Sequence, residues 1–181
     1  LTLTGVVAGD QHTCARDAQG IVLCWGLNDS GQAGTGSGGN PLTATEVVGN
    51  LVFSQVVANG SFSCAITVTG LGYCWGSNAL GQHAGASALL CTDVNEIGQI
   101  TSQVGCAFEP VPMQHPDADG DGISDLRFET LTPGVNHVCG ITNGGDTYCW
   151  GSGEVGELGD GQSGTSYLNL VPQRVLGQPG T

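Results

Sequence analysis

Between residues 117 and 125 the chain reads Asp117-Ala-Asp119-Gly-Asp121-Gly122-Ile123-Ser124-Asp125. Carboxylates at alternate positions, a glycine that permits a sharp turn, and one more carboxylate converge oxygens on a single point. That donor set suits calcium, a hard cation bound by carboxylate and backbone carbonyl oxygens. The expected ligands are the side chains of Asp117, Asp119, Asp121 and Asp125 and the carbonyl of Ile123. Phe128 occupies the twelfth place, where a bidentate Glu would close a helix-loop-helix calcium loop. Carboxylates this dense repel one another without a counter-ion. Calcium here is therefore expected to be structural and to fix the segment around it.

The second chemistry is sulfur. Cys14 and Cys24, Cys64 and Cys74, and Cys139 and Cys149 are each separated by nine residues. In every case the second cysteine opens a Cys-Trp-Gly triplet: Trp25-Gly26, Trp75-Gly76 and Trp150-Gly151. A glycine (Gly20, Gly70, Gly145) stands four residues before that cysteine, in the turn-forming stretches Asp17 to Gly20, Thr67 to Gly70 and Thr142 to Gly145. β-prone residues such as Ile21-Val22-Leu23 and Thr147-Tyr148 follow. The unit reads as a β-hairpin, in which residues equidistant from the turn face each other at about 4.5–5.5 Å between Cβ atoms. That separation is close to disulfide geometry. Three staples are expected: Cys14–Cys24, Cys64–Cys74 and Cys139–Cys149. Nine-residue spacing matches no common zinc ligand pair. The remaining cysteines, Cys91 and Cys106, most simply pair with each other.

One unit used three times is a repeat. The first period is 50 residues and the second 75. Copy two therefore holds an insertion, placed at about 83–129, with 8 of the 16 acidic residues. The expected divisions are 1–50 for repeat one, 51–131 for repeat two with its insertion, and 132–181 for repeat three. Glycine, at 32 of 181 residues, is far above its usual ~7% and favours short strands with tight turns. No apolar run approaches the ~20 residues of a membrane-spanning helix. The chain opens at Leu1 without a signal peptide, as a processed chain or a segment of a longer one would.

Net charge is −13, with three arginines and no lysine. Phosphate binding needs a basic face, so nucleic-acid binding is excluded, and anionic membranes should repel the chain. Eight pairable cysteines point to an oxidising compartment, extracellular or at the cell surface. Among candidates for catalysis, no nucleophile with a base stands out, and the acidic pair Glu154 and Glu157 lies in a repeated turn motif. His12 and His137 share a repeat position with Phe62, which marks packing and not chemistry. The chain is expected not to be an enzyme.

The copies agree beyond the hairpin. Val7-Ala8-Gly9-Asp10-Gln11-His12 precedes the first staple, and Trp25-Gly26-Leu27-Asn28-Asp29-Ser30-Gly31-Gln32 follows it. Trp75-Gly76 leads similarly to Asn78 and Gly81-Gln82, and Trp150-Gly151 to Gly156-Glu157. Copies one and three close on Pro41 to Val48 and Pro172 to Val175. This pattern resembles the repeat of the regulator-of-chromosome-condensation family. The resemblance covers nearly the whole chain apart from the insertion; copy two departs after Gln82, and Gly140 replaces the preferred Ala. The version with Cys before Trp-Gly looks like a secreted bacterial branch. The aspartate loop is similar to those of thrombospondin type 3 and related bacterial surface repeats.

The resemblance implies an all-β fold of propeller blades, and a rigid scaffold presenting loops for protein contacts. Some members catalyse nucleotide exchange on a small GTPase, which disulfides in an oxidising compartment argue against; one secreted bacterial propeller inhibits β-lactamases. Three repeats fall short of the 4–8 blades of a closed propeller. Two open faces are therefore expected to be covered by adjoining repeats or by copies of the chain, joined head to tail as a ring or a fibre. The alternative is a secreted propeller fragment that binds another extracellular protein or a ligand through the insertion, as an inhibitor or adhesin would.

Overall fold

The computed structural model describes residues 2–85, 89–94, 100–115 and 125–178. Their strands form three antiparallel sheets. The first runs in the order β1 (Leu3–Ala8), β2 (His12–Asp17), β3 (Val22–Gly26) and β4 (Thr45–Glu46). The second holds β5 (Phe53–Asn59), β6 (Phe62–Thr67), β7 (Gly72–Ser77), β8 (Leu89–Val94) and β9 (Ile100–Pro112), ordered β5-β6-β7-β9-β8. The third runs β10 (Phe128–Pro133), β11 (His137–Thr142), β12 (Thr147–Ser152) and β13 (Leu168–Arg174). No helix of the described residues is long and apolar enough to cross a membrane.

Each sheet is built around the stapled hairpin. The cysteines stand directly opposite in the β2–β3, β6–β7 and β11–β12 registers. Their Cα atoms are 4.1, 4.0 and 4.1 Å apart. The turn glycines Gly20, Gly70 and Gly145 all adopt φ of +87°, a conformation that other residues rarely take. The glycine after each Trp also has positive φ, 101°, 95° and 102° for Gly26, Gly76 and Gly151, and has a second reason besides. A Cβ on Gly26, Gly76 or Gly151 would lie 2.5, 2.5 or 2.6 Å from the carbonyl oxygen of Gln11, Ser61 or Asn136, the residue just before the neighbouring strand.

The fourth strand of the second sheet lies inside the expected insertion. Met113 N–H donates to the Gly72 carbonyl as Val47 does to Val22 and Val175 to Thr147. Gln114 N–H donates to Ala84 as Val48 does to Gly34 and Leu176 to Gly159. The end of β9 and Met113 thus do the work of the valine strand in the other copies, and 83–129 is not one insertion. The roughly 25 extra residues fall into two places: roughly 16 before the fourth strand, where β8 and the start of β9 add a stapled hairpin, and roughly 9 between Gln114 and Phe128. Cys91, opposite Val104, is bonded to Cys106 two residues further along β9. The division at 131/132 also shifts, because β10 spans Phe128–Pro133 and pairs with β11 of the third sheet.

Successive sheets stack face to face through two apolar joints. Cys14, Val22, Cys24, Ala33 and Val47 of the first meet Phe53, Val56, Ala65 and Trp75 of the second. Val57, Phe62, Cys64, Ile66, Cys74, Ala84 and Met113 of the second meet Phe128, Leu131, Val138 and Trp150 of the third. Each internal staple is thereby buried with the Trp of the following sheet. The first strands of adjacent sheets are tied as well. Gln55 accepts from Leu131 N–H at 2.7 Å, and its amide nitrogen lies 3.3 Å from the Leu131 carbonyl.

Candidate interaction surface

Each Trp is aimed by its hairpin at the sheet before it. Trp75 Nε1 donates to the Gln32 carbonyl at 3.0 Å, and Trp150 Nε1 to the Gln82 carbonyl at 2.9 Å. Both indoles are fully buried, at 0% exposure. The receiving carbonyls are fixed by a compact turn. Gln32 Oε1 accepts from Ser30 N–H, Gln82 Oε1 from Leu80 N–H, and Glu157 Oε2 from Val155 N–H. Asn28 braces the first of these by accepting from Ala33 N–H and donating to the Ser37 carbonyl. Its side chain is fully buried, so Asn28-Asp29-Ser30, which has the form of an N-glycosylation sequon, is closed to that modification in the folded chain.

His12 belongs to this site, a role that sequence reasoning reduced to packing. Its Nε2 is 2.8 Å from Ser63 Oγ, which donates to the same Gln32 carbonyl that receives Trp75. Burial pushes the imidazole down to about 4, against the raising effect of Asp10. The signal lay in the repeat itself. Where His12 becomes Phe62, the facing Ser63 becomes Val138, so the two positions change together across the joint.

The same machinery is present at both ends of the stack, where no sheet among the described residues faces it. Trp25 and Gly26 are only half-buried, whereas Trp75, Gly76, Trp150 and Gly151 are buried. Leu3 and Val6, the counterparts of buried Phe53 and Val56, are 46% and 68% exposed. On the third sheet Ile141, counterpart of buried Ile66, is 41% exposed, and Cys139 is half-buried where Cys14 and Cys64 are buried. These are two apolar faces with fixed hydrogen-bonding groups, of the sort that marks protein contacts.

The calcium ligands expected at Asp117, Asp119, Asp121 and Ile123 lie outside the described residues; Asp125 is described and exposed. The described residues contain no group of three or more His, Cys, Asp or Glu able to hold a metal, a statement that does not extend to 116–124. The four disulfides pair all eight cysteines. Such bonds persist in oxidising surroundings.

The sheets are therefore blades of a β-propeller, three in the described chain. The regulator of chromosome condensation (RCC1) repeat matches residues 4–32. The fold is similar to that of Prp20p from Saccharomyces cerevisiae, in a structure described with its binding properties to Gsp1p and histones. There the TM-score is 0.71 at 19% identity over 96% of this chain and 38% of that one. Yeast RCC1 (Prp20) in its structure with Kap60 gives 0.70 at 20% identity, over 96% and 37%. The chain thus spans well under half the length of these two proteins, and the architecture is that of RCC1-like propeller blades.

Proposed function

We propose that this chain is a non-enzymatic interaction scaffold of RCC1-like repeats that works outside the cell and assembles head to tail with copies of itself. The observation that carries this is the contrast between Trp75 and Trp150, sealed in joints, and Trp25, half-buried with the same surroundings prepared for it. Apolar faces with aligned carbonyl acceptors favour a stacking partner over a soluble small molecule. That Prp20p is described as binding Gsp1p and histones supports protein contact as the use of such a fold. Four disulfides support the extracellular setting.

Sedimentation velocity of the 181-residue chain across micromolar concentrations tests the reading. Concentration-dependent oligomers are expected. A stable monomer throughout would remove self-assembly and favour the second reading, a propeller fragment that binds another extracellular protein through the segment 83–129. That reading is supported by the stapled β8–β9 hairpin, which extends the second blade beyond its fourth strand.

Calcium is proposed as the structural ion of the aspartate loop, held by the Asp117, Asp119, Asp121 and Asp125 carboxylates and the Ile123 carbonyl. Limited proteolysis is expected to cut within 107–129 faster after chelation while the stapled hairpins stay intact. Equal cutting with and without chelator would count against the ion.

A further inference from the structure

The two joints inside the chain are made with different chemistry, and the two open faces are not neutral between them. In the joint between the first and second blades, the leading blade presents His12, Gly34 and Val47. In the joint between the second and third, the same three positions are Phe62, Ala84 and Met113. The open face of the third blade presents His137, Gly159 and Val175, which repeats the first set at every position.

The receiving side shows the same bias. The second blade receives the first with Val56, Ser63 and Ala65, whereas the third receives the second with Leu131, Val138 and Gly140. The open face of the first blade carries Val6, Thr13 and Ala15. Thr13 faces Trp25 across the hairpin as Ser63 faces Trp75, and supplies a hydroxyl where Val138 has none. Six positions on two separate faces therefore follow the polar joint, against one, Ile141, that matches Ile66 of the apolar joint where the polar joint has Arg16. Gly34 shows what this choice does. A Cβ there would lie 2.8 Å from Trp75 Nε1, and Gly159, at the same φ of +65°, keeps that slot open.

Resting on the self-assembly proposed above, we infer that the partner of the third blade is the first blade of a second copy, joined as the first and second blades are joined within one chain. Trp25 of one copy enters the slot beside Gly159 of the other, its Nε1 donating to the Glu157 carbonyl. The Thr13 hydroxyl bonds to His137 and shares that carbonyl, as Ser63 does with His12 and Gln32. The Cys139–Cys149 staple is buried under the incoming indole.

The test is a double-mutant cycle read by sedimentation on the full chain. Thr13→Val and His137→Phe each leave a polar group facing an apolar one and should weaken association about fivefold, the value of one buried hydrogen bond. The pair together rebuilds the Phe62–Val138 chemistry and should return to near the parent affinity. Val6→Glu, on a side chain 68% exposed in the single chain, should abolish association without affecting folding by circular dichroism. Association should also blue-shift the Trp25 emission, because the other two indoles are already buried. If the chain assembles but all four variants assemble equally well, this joint is wrong and the scaffold reading stands. If the parent chain is monomeric throughout, both fall.

Discussion

His83 is the least comfortable residue in the described chain. It stands in the turn motif where the other copies place Ala33 and Leu158, and it is 1% exposed. Among the described residues neither ring nitrogen has a hydrogen-bond partner, although a buried polar group without one destabilises a fold. Burial is the largest cause of its depressed pKa, about 4, opposed by the backbone at Trp75, Ser77 and Gly76. His12 is lowered to about 4 as well, also mainly by burial. The unfolded chain binds these protons from about pH 6.5 downward, and the folded chain resists until about pH 4. Stability is therefore full above pH 6.5 and falls as pH drops toward 4. For His83 the fall is up to about 3 kcal/mol. His83→Leu should raise stability at pH 7 and flatten the loss toward pH 4.5, with urea midpoints as the measure. An unchanged pH slope in that variant would show that the acid sensitivity lies elsewhere.

At the scale of elements, the stapled hairpin was legible because its signals are local. The turn glycine, the strand residues and the opposed cysteines all lie within thirteen residues, and the three copies could be compared. The fourth strand of the second blade was hidden. Its register is set by backbone bonds from Met113 and Gln114 to Gly72 and Ala84; Pro110 matches Pro172, but Met113 replaces the closing valine and the spacing differs from that of the other copies. β10 was misplaced for a related reason, since strand ends between repeats carry no cysteine to mark them. The joint chemistry was visible only as a change of His12 and Ser63 to Phe62 and Val138, which has no meaning until the faces are known to meet.

The split insertion carries its own prediction. β9 from Cys106 to Pro112 is held by β7, whereas β8 is held by β9 and the Cys91–Cys106 bond. Replacing Cys91 and Cys106 together by serine should accelerate hydrogen exchange in β8 while β7 stays protected. The Cys64–Cys74 staple closes a short loop inside the hairpin core, and its loss should lower stability by roughly 2–3 kcal/mol. Uniform loss of protection across the second blade in the first variant would mean that the added hairpin and the blade fold as one unit.

On the scale of the whole molecule, two demands conflict. The joints are apolar and nearly free of charge, yet the chain carries 16 acidic and 3 basic residues. All three arginines are engaged: Arg174 is paired with Asp146 at 2.6 Å, Arg16 donates to the Phe53 carbonyl, and Arg127 donates to the Leu126 carbonyl. Copies stacked head to tail thus bring together bodies of net charge −13, and their repulsion opposes the contact made by the indole and its carbonyl. The two terms respond differently to salt. Repulsion between exposed charges is screened over a Debye length of about 10 Å at 0.1 M ionic strength, whereas burial of an uncharged face is not weakened by such screening. Association should therefore strengthen as sodium chloride rises from about 20 mM to about 300 mM, the reverse of binding through ion pairs. Millimolar calcium should strengthen it further by neutralising the aspartate loop, and at high salt that added effect should shrink. Association that weakens with salt would mean that complementary charge holds the copies together. The contact would then lie on a surface that includes the arginines, away from the indole faces.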